Sequence, residues 1–360
     1  MGFRKIDFVI GKMDAGGAQR VIANLANYLV EKNCQIRIIT FREGDAYELN
    51  SEIERIRYDN LKIFRRVIVS SFFSLLQFYS KKSNRPDIIS AHIGEMGFPT
   101  IPVARLYRIK IVISEHSNHF TEQKKFNKRF LWKYWYGNAD AITVLTNYDL
   151  PFFRKINRNT IVMENPCSFD VMETNNPNRE RVILAVGNLN RYTHKGFDTL
   201  IKLVAPILAK YPNWKLKIIG SGSRGEEYLK SLITDQEVSN QIIFTGYRSE
   251  VREIMANSEI FILPSRWEGL PMVLLEALSQ RMACIAFDCK TGPSEIIEDN
   301  YNGFLIEDQN VKMMSEKLSA LIDDKELRLK FQNNAPKILE KYSLEKVGKK
   351  WMDLFDSLLN

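Results

Sequence analysis

Short aliphatic and β-branched runs alternate along the chain with longer stretches in which apolar residues recur every three or four positions. In the first half the short runs are KIDFVIG, QIRIITF, DIISAHI, KIVISEH and AITVLT. After ENPCSF the rhythm restarts with RVILAVG, KLKIIGSG, QIIFTG, IFILPS and ACIAFD. The stretch after the first run is typical of the intervening pattern, with Val21, Ile22, Leu25 and Leu29 on one helical face. A repeated strand-helix order predicts parallel sheets covered by helices on both faces. The restart predicts two such doubly wound domains, residues 1–167 and 168–340, with the polar stretch VMETNNPN close to the break. A last amphipathic pattern, SLEKVGKKWMDLFDSLL, predicts a closing helix within residues 341–360. Open parallel sheets bind ligands beyond the carboxyl ends of their strands, so two facing sheets are expected to flank a central cleft.

Composition narrows the class. The chain has 360 residues, 45% hydrophobic and 26% charged, which supports folded cores and excludes disordered or collagen-like architectures. The most membrane-like stretch, residues 67–80, contains serines and a glutamine and is too short for the ~20 residues that cross a bilayer. The opening MGFRKIDFVIGKMDAGG carries Asp7 inside its apolar run and reads as a first strand, not a signal peptide. Cys34, Cys167, Cys284 and Cys289 lack zinc-ligand spacing and form no disulfide framework, so a reducing cytoplasm is expected.

The net charge of +8 is unevenly spread. Residues 1–167 carry 26 Lys and Arg against 16 Asp and Glu; the remainder carries 25 against 27. The excess concentrates in residues 61–82, with Arg65 and Arg66, and in KKFNKRFLWKYWY, with Lys124, Lys125, Lys128, Arg129 and Trp132. Both segments read as helices with a basic face suited to an anionic membrane surface or acceptor, at ~1 kcal/mol per cation near the lipid. A half-buried helix with solvated lysines fits the same pattern. No zinc finger, homeodomain or RNA-recognition signature points to nucleic acid.

Candidate chemistry lies at predicted strand ends. Gly16 and Gly17 open the first helix, where free backbone N–H groups can meet a phosphate, although a tight turn explains the pair equally well. A literal G-x-G-x-x-G, at Gly220, Gly222 and Gly225, follows KLKIIG. It lies mid-chain, and the acidic residue expected at the end of the next strand is missing, since QIIFTG is followed by Tyr247 and Arg248. In PSRWEGLPMVLLEAL, Glu268 and Gly269 precede a helix that Pro271 can begin, and Glu276 lies about two turns into it. Two carboxylates flanking a helix N-terminus suit a sugar nucleotide: the carboxylates bind hydroxyls, and the N–H groups near Leu270, Met272 and Val273 bind the diphosphate. A helix cap and an exposed helical glutamate account for the spacing equally.

Together, Glu268-x7-Glu276, DAGGAQRVIANLA, ISEHSN around His116, LAVGNLNRYTHKGFDTLI and GPSEII followed by NGFLI resemble the retaining glycosyltransferases of the two-domain GT-B type, family 4, over nearly the whole chain. The resemblance implies two Rossmann-like domains, an N-terminal one for the acceptor and a C-terminal one for the nucleotide sugar, with the last helix packing back on the N-terminal domain. It implies that Glu276 binds the ribose and that Glu268 contacts the transferred sugar. Lys195 is implied to hold the diphosphate, His116 to lie beside donor sugar and acceptor, and the Gly17 backbone to meet phosphate. Tyr247 and Arg248 fall where the base is read. Asn188 stands where the family has its diphosphate arginine, and Arg191 is the available substitute. His92, at another strand end, is a weaker site candidate or a structural histidine.

The implied reaction is front-side transfer with retention, driven by positioning and electrostatics. The leaving diphosphate takes the acceptor proton, and no Asp-x-Asp triplet calls for a metal. The expected donor is a UDP-hexose or UDP-N-acetylhexosamine. The expected acceptor is a lipid-linked saccharide at the inner face of the cytoplasmic membrane, used in cell-surface glycan assembly, with no further cofactor. Three other classes compete: an NAD-linked oxidoreductase, resting on Gly220 to Gly225; a sugar-nucleotide epimerase; and a non-catalytic membrane-associated binding module.

Overall fold

Strand runs that are apolar on both faces require cover from both sides, and the computed structural model provides it in two parallel sheets. It describes residues 4–58, 67–233 and 237–360. The chain divides into two units, the first made of Met1–Pro166 and Tyr342–Asn360, the second of Cys167–Lys341.

The first unit contains β1 (Arg4–Val9), β2 (Cys34–Thr40), β3 (Glu54–Arg57), β4 (Ile88–His92), β5 (Lys110–Ser114), β6 (Ala141–Val144) and β7 (Thr160–Val162). They form a seven-stranded sheet ordered β3-β2-β1-β4-β5-β6-β7, every pairing parallel. The second unit contains β8 (Glu180–Val186), β9 (Lys215–Ile219), β10 (Ile242–Gly246), β11 (Ser258–Leu263), β12 (Ala283–Asp288) and β13 (Gly303–Glu307). Its parallel sheet is ordered β10-β9-β8-β11-β12-β13. In both units the chain starts mid-sheet, walks to one edge, then returns to the other side of the starting strand. Each sheet therefore has a switch point, between β1 and β4 and between β8 and β11, where neighbouring loops diverge and leave a crevice.

Two features of the termini follow from sequence. Asp7, the charge inside β1, is fully buried because β2 brings Arg37 opposite it: Arg37 donates to both carboxylate oxygens at 2.7 and 2.6 Å, and the Tyr79 hydroxyl donates at 2.6 Å. The closing helix, Leu344–Leu359, is capped by Ser343, whose hydroxyl accepts from the Lys346 amide at 3.2 Å. It sets Val347, Trp351, Leu354 and Phe355 into the same core as Ile22, Leu25 and Leu29 of helix Gly17–Glu31.

The structure adds β3, β7 and β13 to the ten predicted strands. All three are edge strands, and β3 (ERIR) and β7 (TIV) are too short or too charged to show an apolar run. In the basic stretch 61–82 the described helix is Val67–Ser80, which contains no cation. It exposes Val69 and Phe73 and buries Ser71 and Ser74, so the expected basic face is not part of it. Arg65 and Arg66 lie outside the described residues.

Candidate active site

Several of the sequence candidates lie on the loops at the two switch points, while His116, Gly220, Tyr247 and Arg248 follow other strands. In the second unit, the loop after β8 carries Asn188, Arg191 and Lys195, and the loop after β11 carries Glu268. Gly196 lets them meet: its φ is +68°, and a Cβ there would lie 1.8 Å from the Pro264 carbonyl oxygen. The loops are tied further by the Arg266 amide, which donates to the His194 carbonyl at 2.9 Å. The Arg266 guanidinium donates to both Asp198 oxygens at 2.7 and 2.9 Å.

At the centre, Lys195 Nζ donates to Glu268 Oε1 at 2.8 Å, and Ser265 Oγ donates to the same oxygen at 2.6 Å. Glu268 is 8% exposed and Lys195's side chain 17%, so this ion pair has little solvent screening. Burial by itself pushes the Glu268 carboxyl up, but Lys195 and Ser265 outweigh it and hold the group below the usual carboxylate range. The Thr291 hydroxyl donates to the Glu268 carbonyl and fixes the main chain. Glu276 is buried on helix Met272–Ser279, one helix after Glu268. The first amide to bond into this helix is that of Leu274, to the Pro271 carbonyl at 3.0 Å, so the Met272 and Val273 amides precede the intrahelical ladder. Gly269 and Leu270 lie in the turn before it, with the Leu270 side chain buried.

Asn188 is a cap rather than a free ligand, its Oδ1 accepting from the Asn190 amide at 2.9 Å. Arg191 donates to His194 Nδ1. His194 Nε2–H in turn donates to the Trp267 carbonyl at 2.7 Å, with the two rings stacked at 4.9 Å. Burial, with Arg191 and Lys195 nearby, pulls His194 down to about 4 and keeps it neutral. The sequence reading passed over His194, Ser265 and Thr291; only the adjacency of His194 to Lys195 signalled any of them. The glycines of the G-x-G-x-x-G serve packing: Cβ atoms at Gly220, Gly222 and Gly225 would lie 1.8, 2.6 and 2.0 Å from backbone atoms of Gly187, Asn190 and Leu189. Tyr247 and Arg248 are exposed just after β10.

In the first unit, Gly16 closes the loop after β1, His92 is the last residue of β4, and His116 lies two residues beyond β5. Gly16 precedes helix Gly17–Glu31; its amide donates to the Tyr47 hydroxyl, which donates back to its carbonyl, both at 2.9 Å. His92 Nδ1 and His116 Nε2 are 3.0 Å apart. The same unit has a cavity of about 570 Å³ bounded by Lys12, Arg42, Val67, Ile93, Met96 and Phe98 among others.

Helix Phe126–Tyr134 corrects the expected membrane face. Lys128 and Trp132 are each only 3% exposed: Lys128 Nζ lies 3.3 Å from Glu115 Oε2, and Trp132 Nε1 donates to Glu115 Oε1 at 3.1 Å. Tyr136 also donates to that carboxylate. A buried carboxylate requires these donors, so the two residues face inward. The outward stripe is Phe126, Phe130 and Tyr134, beside Lys124, Lys125, Arg129 and Lys133. Among the described residues no helix is long and apolar enough to cross a membrane.

Two Rossmann-like parallel sheets, each with its own switch point, define a GT-B-type architecture. The family comparisons agree: the model "Glycosyltransferase Family 4" matches residues 15–162 and "Glycosyl transferases group 1" matches residues 169–338. An uncharacterized glycosyltransferase of Haemophilus influenzae is 30% identical over 354 residues, covering 97% of this chain and 99% of that protein. A Campylobacter jejuni α-1,4-N-acetyl-D-galactosaminyltransferase, whose name gives a diNAcBac-PP-undecaprenol-linked GalNAc acceptor, is 26% identical and covers 99% of each chain. A crystal structure of a Staphylococcus aureus TarM variant with Fondaparinux, α-GlcNAc-glycerol and UDP shares the fold, with TM-score 0.79 and 16% identity over 98% of this chain and 100% of that one. The chain belongs to glycosyltransferase family 4, the group 1 glycosyl transferases, and is a hexosyltransferase. The oxidoreductase, epimerase and non-catalytic alternatives fall with that assignment.

Proposed function

We propose that the enzyme transfers a hexose or N-acetylhexosamine, with retention, from a UDP-sugar to a lipid-linked glycan in the assembly of cell-surface polysaccharide. The observation that carries this is the buried Lys195–Glu268 pair at the β8/β11 switch point, beside the start of helix Met272–Ser279. Lys195 and the Met272 and Val273 amides hold the diphosphate, with Arg191 contributing from the same loop. Glu276 binds the ribose hydroxyls, and Tyr247 and Arg248 border the base. Glu268 contacts the transferred sugar. In the first unit, the Gly17 backbone is the candidate for a phosphate and His116 for a sugar oxygen, while the Gly16 amide is taken by Tyr47.

The glycosidic C1–O bond to the diphosphate breaks as the acceptor oxygen attacks C1 from the same face. The acceptor proton passes to the departing phosphate oxygen, leaving UDP and an α-linked product from an α-linked donor. Cations and helix amides stabilise the charge that grows on the diphosphate, so the reading calls for no metal. The cavity beside Lys12 and Arg42 has the apolar wall and cations that a lipid diphosphate saccharide needs. The Campylobacter relative's acceptor and the UDP bound by TarM support the same chemistry. The enzyme then works peripherally at the inner face of the cytoplasmic membrane.

The test is thermal-shift screening of purified protein with UDP, GDP and ADP in the presence of EDTA, followed by anomeric NMR of the product. Stabilisation by UDP that is lost in Glu276→Ala, and an α-linked product, are expected. No response to any nucleotide sinks the donor assignment, and a β-linked product sinks retention.

A further inference from the structure

A chain of hydrogen bonds inside the first unit ends on an unpartnered atom. Ser90 Oγ lies 3.0 Å from His92 Nε2, and His92 Nδ1 lies 3.0 Å from His116 Nε2. Ser90 and His92 are fully buried, and His116 Nδ1 is a buried atom with no hydrogen-bond partner. The middle ring is tightly held. Phe8 meets His92 edge-on at 5.2 Å, and Trp351 of the closing helix lies against it at 5.8 Å. The next residue, Ile93, has φ +63°, a conformation that a β-branched side chain rarely adopts, and its amide donates to the Ser114 carbonyl at 3.1 Å. Such strain persists only where the surroundings over-determine the backbone.

Proton counting gives the chain a direction. If His116 donates to His92, then His92 donates to Ser90. The buried Ser90 hydroxyl hydrogen then has no acceptor among the described residues, and His116 Nδ1 is an unpaired acceptor. If Ser90 donates to His92 and His92 donates to His116, one unpaired group remains, the Nδ1–H of His116. An unpaired buried polar group costs about 1–3 kcal/mol, so the second direction is favoured. Burial, and then Lys128 nearby, lowers His116 to about 4, and burial holds His92 well below the ordinary histidine value, so both rings are neutral at pH 7.

We propose that Ser90 and His92 are positioning residues that lock His116 in its Nδ1–H tautomer, so that it offers a hydrogen-bond donor to an oxygen of the bound sugar substrate. The inference rests on the transferase reading of His116. Its structural half is measured without substrate.

The chain has four histidines, so long-range proton-nitrogen spectra of protein labelled with ¹⁵N-histidine can be assigned by single substitutions. At pH 7 the ligand-free enzyme is expected to show His116 protonated on Nδ1 alone. His92→Phe keeps a stacking ring but loses the bond, and is expected to give mixed His116 tautomers and to lower kcat roughly tenfold with donor KM within about twofold. His92→Asn, whose amide can still donate to His116 Nε2, is expected to recover most of both. Ser90→Ala removes one hydroxyl without opening the core and is expected to mix the tautomers too. A His116 protonated on Nε2 in the wild type, or unchanged by His92→Phe and Ser90→Ala, overturns the proposal. Failure to transfer sugar from any nucleotide donor, with the tautomer as expected, overturns the function and leaves the lock standing.

Discussion

Lys195 and Glu268 need each other for stability before they need a substrate. With both side chains below a fifth exposed, removing the cation strands a carboxylate in a site that burial already disfavours. Lys195→Met is therefore expected to destabilise the protein by on the order of 3 kcal/mol at pH 7 in urea unfolding. Lys195→Met with Glu268→Gln, which removes the stranded charge, is expected to regain most of that stability while transfer stays abolished. Equal stability of the single variant and the wild type speaks against a coupled pair. The pH dependence has a fixed sign. Because the folded enzyme holds the Glu268 carboxyl below the usual value, the pair's contribution is full above about pH 4.5 and is lost as pH falls through the folded value. His194 and His116, both near 4 in the folded enzyme, stay neutral there while the unfolded chain protonates them near 6.5, so keeping them buried and neutral costs stability as pH falls below about 6.5.

At the scale of elements, the geometry depends on loops that approach more closely than side chains allow. Gly196 and Gly246 both have left-handed backbones, φ +68° and +71°, but a Cβ at Gly246 meets open space while one at Gly196 meets the Pro264 carbonyl. Gly246→Ala is expected to cost about 1–2 kcal/mol, the conformational penalty alone. Gly196→Ala is expected to cost more and to weaken UDP binding, because the loops carrying Lys195 and Glu268 must separate. Calorimetry of both variants checks this; similar losses in the two remove the close approach as the cause. This scale also divides what sequence reveals from what it hides. Central strands such as IISAH and ACIAFD are legible because both faces are buried, whereas ERIR at an edge looks like surface. Glu268 and Glu276 stand out in sequence by their spacing about a predicted helix start, and Lys195 only through the family resemblance. The Thr291 bond to Glu268 and the bond between His92 and His116 join distant loops or neighbouring strands, and one-dimensional spacing carries no trace of them; Ser265, three residues before Glu268 in the same loop, shows its role only once that loop is folded. Lys128 and Trp132 misled because a cation and an indole look like surface until a buried Glu115 calls for donors.

At the scale of the whole molecule, the charge asymmetry acquires a location once the inward residues are set aside. The outward face of helix Phe126–Tyr134 presents Phe126 at 75% exposure and Phe130 at 44%, one turn apart, with Tyr134 a turn further on and four cations alongside. Aromatic side chains and lysines on one short helix match the boundary of an anionic leaflet, the rings entering the interface while the cations stay at the headgroups. The enzyme is thus expected to bind vesicles containing anionic lipid, to bind neutral vesicles weakly, and to release as salt shortens the range of the attraction. Phe126→Ser with Phe130→Ser removes about 2 kcal/mol of apolar burial at the interface. Vesicle partitioning should fall about thirtyfold. Stabilisation by UDP should be unchanged, because Lys195, Glu268 and Glu276 lie in the other unit. Partitioning unaffected by the double substitution assigns the membrane contact to another surface, and a simultaneous loss of UDP stabilisation shows that the substitutions disturbed the fold instead of a docking face.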